Sequence, residues 1–169
     1  VTRLGLKPLL NLNVGKVVIR NYSLRWPINS ELPKLLKNQT LLDLNRRGKY
    51  IFAKFARGTL IIHLGMSGRL CIVSSNEPLS KHDHVDIQFK KNNLILRYRD
   101  PRRFGSILWT EEDPHSHKLI KNLGPEPLNE EFNAKYLFIR LKSKQQCIKN
   151  AIMDSHVVVG VGNIYASEA

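Results

Sequence analysis

Up to about residue 110, apolar and polar positions alternate in short runs separated by turn residues, the pattern of half-buried β-strands. Lys16-Val17-Val18-Ile19-Arg20 is short and β-branched. Residues 49–55 alternate through Tyr50, Ile51, Phe52, Ala53, Lys54 and Phe55, and Arg57-Gly58 offers a turn into the apolar run Leu60-Ile61-Ile62. That predicts a hairpin. A second hairpin follows, with Val85, Ile87 and Phe89 alternating, residues 90–93 turning, and Leu94, Ile95, Leu96 and Tyr98 returning. Ser106-Ile107-Leu108-Trp109 predicts one more strand. Only residues 2–10 and about 30–37 read as helical in this part. Several short strands with regular turns predict a β-sandwich or barrel.

The pattern changes after Asp113-Pro114. Residues 123–128 (Leu123, Gly124, Pro125, Glu126, Pro127, Leu128) are too rich in Pro and Gly for an element interior, so they predict a linker or hinge. Beyond them, Phe132, Tyr136, Leu137, Ile139 and Leu141 predict one helix, and Ile148, Ala151, Ile152 and Met153 another. A third begins after Gly160-Val161-Gly162-Asn163 and runs to the last residue without a C-cap, which leads us to expect a piece of a longer protein. No repeat or low-complexity tract interrupts the chain. The expected division is 1–118, 119–129 as hinge, and 130–169.

Composition narrows the function. The chain has 169 residues, 42% of them hydrophobic, so it can bury a real core. No apolar run approaches the ~20 residues of a membrane helix. The net charge is +13, and it is uneven: residues 1–60 hold twelve Lys and Arg against Glu31 and Asp43 alone. Clustered positive charge without an amphipathic membrane helix points to a polyanion, foremost nucleic acid. Cys71 and Cys147 form no Cys-x-x-Cys pair, which argues against a disulfide framework or a structural zinc site. Reduced thiols in a cytosolic protein are expected, with Cys71 in the core between Leu70 and Ile72.

Five stretches carry candidate chemistry. Asp100-Pro101-Arg102-Arg103-Phe104-Gly105 puts two guanidinium groups beside an apolar ring on a proline-stiffened turn. Arginine is a fork for phosphate oxygens, and an adjacent ring can wedge into a base stack. The competing reading is a plain turn, with a surface ion pair from Asp100 to an arginine and Phe104 in the core. Residues 63–68 end a strand with Gly65 and Gly68 around Met66, either a hairpin tip or a place where backbone approaches a ligand. His82 and His84 alternate along a strand and share a face without a third ligand, which favours phosphate contact over metal. Arg46-Arg47-Gly48-Lys49 leads into a strand. Its Lys49 is either a solvated lysine or, with its charged form disfavoured by cationic neighbours, a proton-transfer group. Gly160-Val161-Gly162-Asn163 ahead of a helix offers N–H groups to an anion.

In this order these segments resemble the formamidopyrimidine-DNA glycosylase family of bacterial base-excision enzymes. The matching stretches are Arg46-Arg47-Gly48-Lys49-Tyr50, residues 63–68, Lys81-His82-Asp83-His84-Val85-Asp86, residues 97–105, residues 123–128, and Met153-Asp154 with residues 157–168. The resemblance implies an α+β protein: an N-terminal β-sandwich with a few helices, a hinge, then the start of an α-helical helix–two-turn–helix domain. It implies removal of oxidised purines (formamidopyrimidine, 8-oxoguanine) from double-stranded DNA, with attack by an N-terminal proline amine, a Schiff base, and AP-lyase β,δ-elimination.

Carried over residue by residue, the resemblance makes Lys49 the proton donor in β-elimination. Met66, Arg102 and Phe104 become the side chains that fill the void left by the flipped nucleotide, with Phe104 as the wedge. His63, His82, Arg102, Lys144, Asn163 and Tyr165 become DNA contacts, with His63 at a cleft between domains. The family's opening Pro-Glu-Leu-Pro-Glu, with nucleophile and acid, has no counterpart, since the match begins at Val1-Thr2-Arg3. Neither has the zinc finger, so zinc is expected outside these residues and no cofactor or metal within them. The polypeptide as it stands is expected to be inactive, a monomer, free of membranes, and from the bacterial cytoplasm and nucleoid. The alternative is a non-catalytic DNA-binding module from a truncated or decayed paralogue. An RNA-binding β-domain fits the charge but leaves the wedge motif unexplained. The endonuclease VIII branch, which removes oxidised pyrimidines, fits less well at Met66, Arg102 and Phe104.

Overall fold

Ile51, Ala53 and Phe55 are buried together because side chains alternate along extended backbone, which sends every second residue to one face. The structure, a computed structural model, describes residues 1–91, 93–142 and 145–168. Two compact units emerge, one formed by Val1–Arg46 with Tyr50–Pro114, the other by Arg47–Lys49 with His115–Ala169.

The strands of the first region are β1 (Val14–Ile19), β2 (Asp43–Arg47), β3 (Tyr50–Phe55), β4 (Gly58–His63), β5 (Arg69–Ser74), β6 (Asp83–Phe89), β7 (Leu94–Arg99) and β8 (Ser106–Thr110). They form two four-stranded sheets, ordered β1-β6-β7-β5 and β2-β3-β4-β8. The expected hairpins are both present: Ile51 faces Ile62 across β3–β4, and Ile87 faces Leu96 across β6–β7. One core cluster takes Phe55, Leu60 and Ile62 from one sheet and Val85, Leu96 and Tyr98 from the other. Two sheets sharing a core make a sandwich.

Helix α2 (Leu32–Leu36) buries Leu32 and Leu36 almost completely in that core. Each such leucine contributes roughly 1.5–3 kcal/mol by leaving water. The single helix expected over 2–10 is broken. Helix α1 (Thr2–Gly5) gives way to a 3₁₀ turn over Lys7–Leu9, because Pro8 has no N–H to continue the α-helical ladder. Two strands escaped the sequence pattern. In β2 the sole fully buried side chain is Leu44, and β5 is an edge strand of mostly half-buried residues. Cys71 lies on β5 opposite Arg97 and is half-buried, so it is not the core residue expected.

The second unit contains α3 (Ala134–Leu141), α4 (Ile148–Met153) and α5 (Asn163–Glu168). The Asn133 side chain caps α3 by accepting from the Tyr136 N–H at 2.9 Å. Its core is the run Val157, Val158 and Val159 with Ala151, Ala166 and Ile120. Residues 123–125 are tied into this unit: the Gly124 N–H donates to the Ser155 carbonyl, and the Val159 N–H to the Pro125 carbonyl. Among the described residues, no helix is long and apolar enough to cross a membrane.

Candidate nucleic-acid interface

Asp100 organises the turn that follows β7. It is fully buried, and its Oδ1 accepts from the Ser67 hydroxyl at 2.6 Å. Its Oδ2 accepts from the Tyr98 hydroxyl at 3.0 Å and the Gly105 N–H at 2.9 Å. The Arg102 N–H is shared between Asp100 Oδ1 at 3.3 Å and Ser67 Oγ at 3.2 Å. Burial alone raises this carboxyl, but the hydrogen bonds from Ser67, Gly105, Tyr98 and Arg102 more than reverse that, holding it below the usual carboxylate range. The same burial, with the neighbouring carboxylate, pushes the Tyr98 hydroxyl well above its ordinary value.

With its carboxylate turned inward, Asp100 leaves the rest of the turn outside. Pro101, Arg102, Arg103 and Phe104 are all exposed, Phe104 at 45%. The Arg102 guanidinium lies over the Phe104 ring, 4.6 Å from its centre. The plain-turn reading therefore fails on both counts: Asp100 is not a surface partner of an arginine, and Phe104 is not core. Arg103 has φ of 57°, a left-handed conformation costing a non-glycine residue roughly 1–2 kcal/mol.

Met66 comes from the segment joining β4 of one sheet to β5 of the other, so residues 64–68 are not a hairpin tip. Met66 is 74% exposed. Gly65 has φ of 61°, and a Cβ there would lie 2.6 Å from the Phe104 carbonyl carbon. Only a glycine lets this segment lie directly against the Phe104 backbone. The fold thus brings Met66, Arg102 and Phe104 together on two loops in contact. His63 ends β4, half-buried, its Nδ1 accepting from the Gly65 N–H at 3.1 Å and its ring 4.8 Å from that of Tyr50.

His82 and His84 do not share a face as expected. The register moves from Asp83 opposite Arg99 to Val85 opposite Tyr98, which makes His84 the extra residue of a β-bulge. His84 is buried, its Nε2 2.8 Å from the Asp100 carbonyl. His82 is half-buried on the turn before β6, and its carbonyl accepts the Asp100 N–H at 3.0 Å. Below this turn lies an ion-pair cluster that sequence reading missed. Arg97 grips Asp86 with Nε at 2.9 Å, Arg20 reaches Asp86 at 2.6 Å, and Arg99 holds Asp83 at 2.6 Å. Arg97 also donates to the Pro78 carbonyl at 3.2 Å, and the Ser80 N–H to Asp83 at 2.7 Å. The loop carrying Lys81 and His82 is thereby fixed from beneath. Burial raises the Asp83 carboxyl, yet the Arg99 and Ser80 hydrogen bonds win and bring it down to about 2.

In the second unit, Lys49 is exposed and its Nζ donates to the Val161 carbonyl at 3.0 Å, one residue ahead of the close backbone at Gly162. Arg47, grouped with Lys49 as a cationic cluster, is bound inside this unit, with an ion pair to Glu126 at 3.2 Å. The Gly48 N–H also donates to Glu126, at 2.7 Å. Asn163 and Tyr165 are exposed on α5, Tyr165 at 75%. Lys144 lies outside the described residues. Among the described residues no group of three His, Cys, Asp or Glu could hold a metal ion.

Ser67 and Tyr98 are the residues the sequence did not single out. The available signal was indirect, namely that a turn aspartate withdrawn from solvent needs several donors.

A model of the formamidopyrimidine-DNA glycosylase N-terminal domain matches residues 1–107, and one of the H2TH domain of the same enzymes matches residues 123–169. A formamidopyrimidine-DNA glycosylase of Methylobacillus flagellatus is 53% identical over 169 residues, covering 100% of this chain and 60% of its own length. One from Saccharophagus degradans is 54% identical, covering 99% and 62%. The chain thus spans about three fifths of the length of these curated relatives. A Lactococcus lactis enzyme solved with DNA containing an AP site superposes with TM-score 0.88 at 28% identity, over 98% of this chain and 64% of that one. The same bacterium's enzyme with Fapy-dG DNA gives 0.89 at 29%, over 99% and 63%. The chain belongs to the formamidopyrimidine-DNA glycosylase family.

Proposed function

We propose that this chain grips damaged double-stranded DNA and probes it for oxidised purines, within a base-excision glycosylase that also acts as an AP lyase. The observation that carries the reading is the exposed Met66 beside the stacked Arg102 and Phe104, on loops anchored to a buried Asp100. An apolar ring and a long thioether held outside the core are poorly placed for stability but well placed to enter a base stack. Extruding a nucleotide costs a few kcal/mol of unstacking, which inserted side chains offset. The solved Lactococcus lactis relatives hold DNA with Fapy-dG or an AP site, which supports the same substrate class here.

In this reading, His63, His82, Arg102 and Lys144 contact the DNA, and Asn163 and Tyr165 contact its phosphates. They set position while the wedge tests the stack. A Schiff base between the sugar C1′ and an amine provides the electron sink for elimination. Lys49 donates the proton in β-elimination. Its anchor to the Val161 carbonyl uses one ammonium N–H and leaves two for the sugar-phosphate.

The test uses the full-length gene product with a duplex containing 8-oxoguanine or an abasic site. Borohydride should trap a covalent adduct and strand scission should follow. Lys49→Ala should slow scission more than adduct formation. Tight binding to abasic duplex with no adduct and no scission would sink the enzyme reading and leave a non-catalytic DNA-binding module.

A further inference from the structure

We infer that Ser67 and Asp100 are positioning residues for damage recognition, a latch that fixes the Met66 loop against the loop of Arg102 and Phe104. The inference rests on the wedge reading above and deepens it. Residues 64–68 and 100–105 run side by side between paired strand ends, His63 opposite Ser106 and Arg69 opposite Arg99, so the ladders fix where the loops start and finish and contacts between the loops set how their tips sit. Three features of the structure set it. Ser67 Oγ gives its proton to Asp100 at 2.6 Å and accepts the Arg102 N–H at 3.2 Å, bridging both loops with one atom. Asp100 then takes the Gly105 N–H at 2.9 Å, closing the turn on the far side of Phe104. Gly65 lies against the Phe104 backbone, so the loops meet without an intervening side chain.

This arrangement is specific to a carboxylate. The four donors converging on Asp100 are the Ser67 and Tyr98 hydroxyls and the Arg102 and Gly105 N–H groups. An asparagine offers one oxygen. Its NH₂ then faces either Ser67 and Arg102 or Tyr98 and Gly105, and a backbone N–H cannot reverse into an acceptor. Hydroxyl-to-carboxylate bonds are short and about twice as strong as neutral ones, suiting them to hold a loop that must push into stacked bases.

The test compares affinities of the full-length gene product for an abasic-site duplex and an undamaged duplex, and follows their ratio. Ser67→Ala leaves Asp100 three donors, so melting temperature and undamaged-duplex affinity should change little. The ratio should fall roughly tenfold, the scale of one hydrogen bond to a charged group. Ser67→Thr keeps the hydroxyl and should restore it. Asp100→Asn should lower the ratio further where the variant folds, and Ser67→Ala decides the matter where it does not. A ratio unchanged in Ser67→Ala, or equal losses on both duplexes, would overturn the proposal. Phe104→Ala separates the two ideas. If it lowers the ratio while Ser67→Ala does not, the latch alone is wrong; if it leaves the ratio unchanged, the wedge reading and the latch fall together.

Discussion

The Arg102 guanidinium carbon sits 4.6 Å from the centre of the Phe104 ring, both side chains exposed on the same turn. At an exposed site such a contact contributes about 0.5–1 kcal/mol, enough to bias two mobile groups toward one arrangement. The stack stiffens Phe104 while keeping a cation beside it. Arg102→Met preserves length and removes the charge. It should reduce the slope of log affinity against log salt by about one and weaken abasic-site binding more than undamaged binding. An unchanged salt slope, measured by fluorescence anisotropy, would remove Arg102 from the phosphate contacts.

Of the +13 net charge, twelve basic residues against two acidic ones fall in residues 1–60. Affinity for undamaged duplex should therefore fall steeply and log-linearly with salt, by about 10³-fold or more between 50 and 200 mM if six or more phosphates are neutralised. A flat dependence would mean that binding is not governed by phosphate.

Acid should unfold the sandwich over a defined window. Asp83 is lowered to about 2, and Asp86 and Asp100 are also lowered. A carboxyl whose folded value lies below its unfolded one adds stability above about pH 4, and that stability disappears as pH falls through the folded value. Melting temperature should hold from pH 7 to 5 and drop most between about 4 and 2. Asp83→Asn should start lower and fall less steeply. A melting temperature indifferent to pH across that window would show these ion pairs to be unimportant.

Arg97 is almost completely buried between Asp86 and the loop carbonyls of Glu77 and Pro78. Arg97→Ala should cost roughly 1.5–3 kcal/mol, because Asp86 loses a buried charged hydrogen-bond partner and keeps only Arg20, while Arg99 still holds Asp83. Amide exchange should quicken first at residues 77–83. Protection lost elsewhere first would contradict its role as the anchor of that loop.

Gly48 has φ of 55°, and a Cβ there would strike the Val159 side chain. Gly48→Ala should destabilise the second unit by about 2 kcal/mol or more, through left-handed strain and crowding together. Limited proteolysis should then cut within residues 155–162 sooner than in the wild type. Equal cleavage rates would show that Val159 moves aside at no cost.

The hairpins were legible because Ile51, Ala53 and Phe55 answer Leu60 and Ile62 at a spacing only a strand satisfies. β2 was not, since Asp43, Asn45 and Arg46 leave Leu44 as the single strongly buried position. Pro8 should have cut the first helix short on backbone chemistry alone. At the site, the grouping of Arg102, Arg103 and Phe104 could be read locally, because two guanidinium groups and a ring are chemistry whatever surrounds them. The partners of Asp100 could not, since Ser67 and His84 lie 33 and 16 residues away. The bulge at His84 defeated the alternation rule, as one inserted residue reverses the facing of everything beyond it.

Those separations bear on engineering. A peptide copying residues 99–105 carries the arginines and the ring but none of the side chains of Ser67, His84 or Tyr98, nor the His82 carbonyl. Its aspartate would face water, Arg103 would relax from its left-handed conformation, and the ring would collapse onto whatever apolar surface lay nearest. Grafting the wedge onto another scaffold would therefore mean moving two loops, a bulge and a buried tyrosine as one piece.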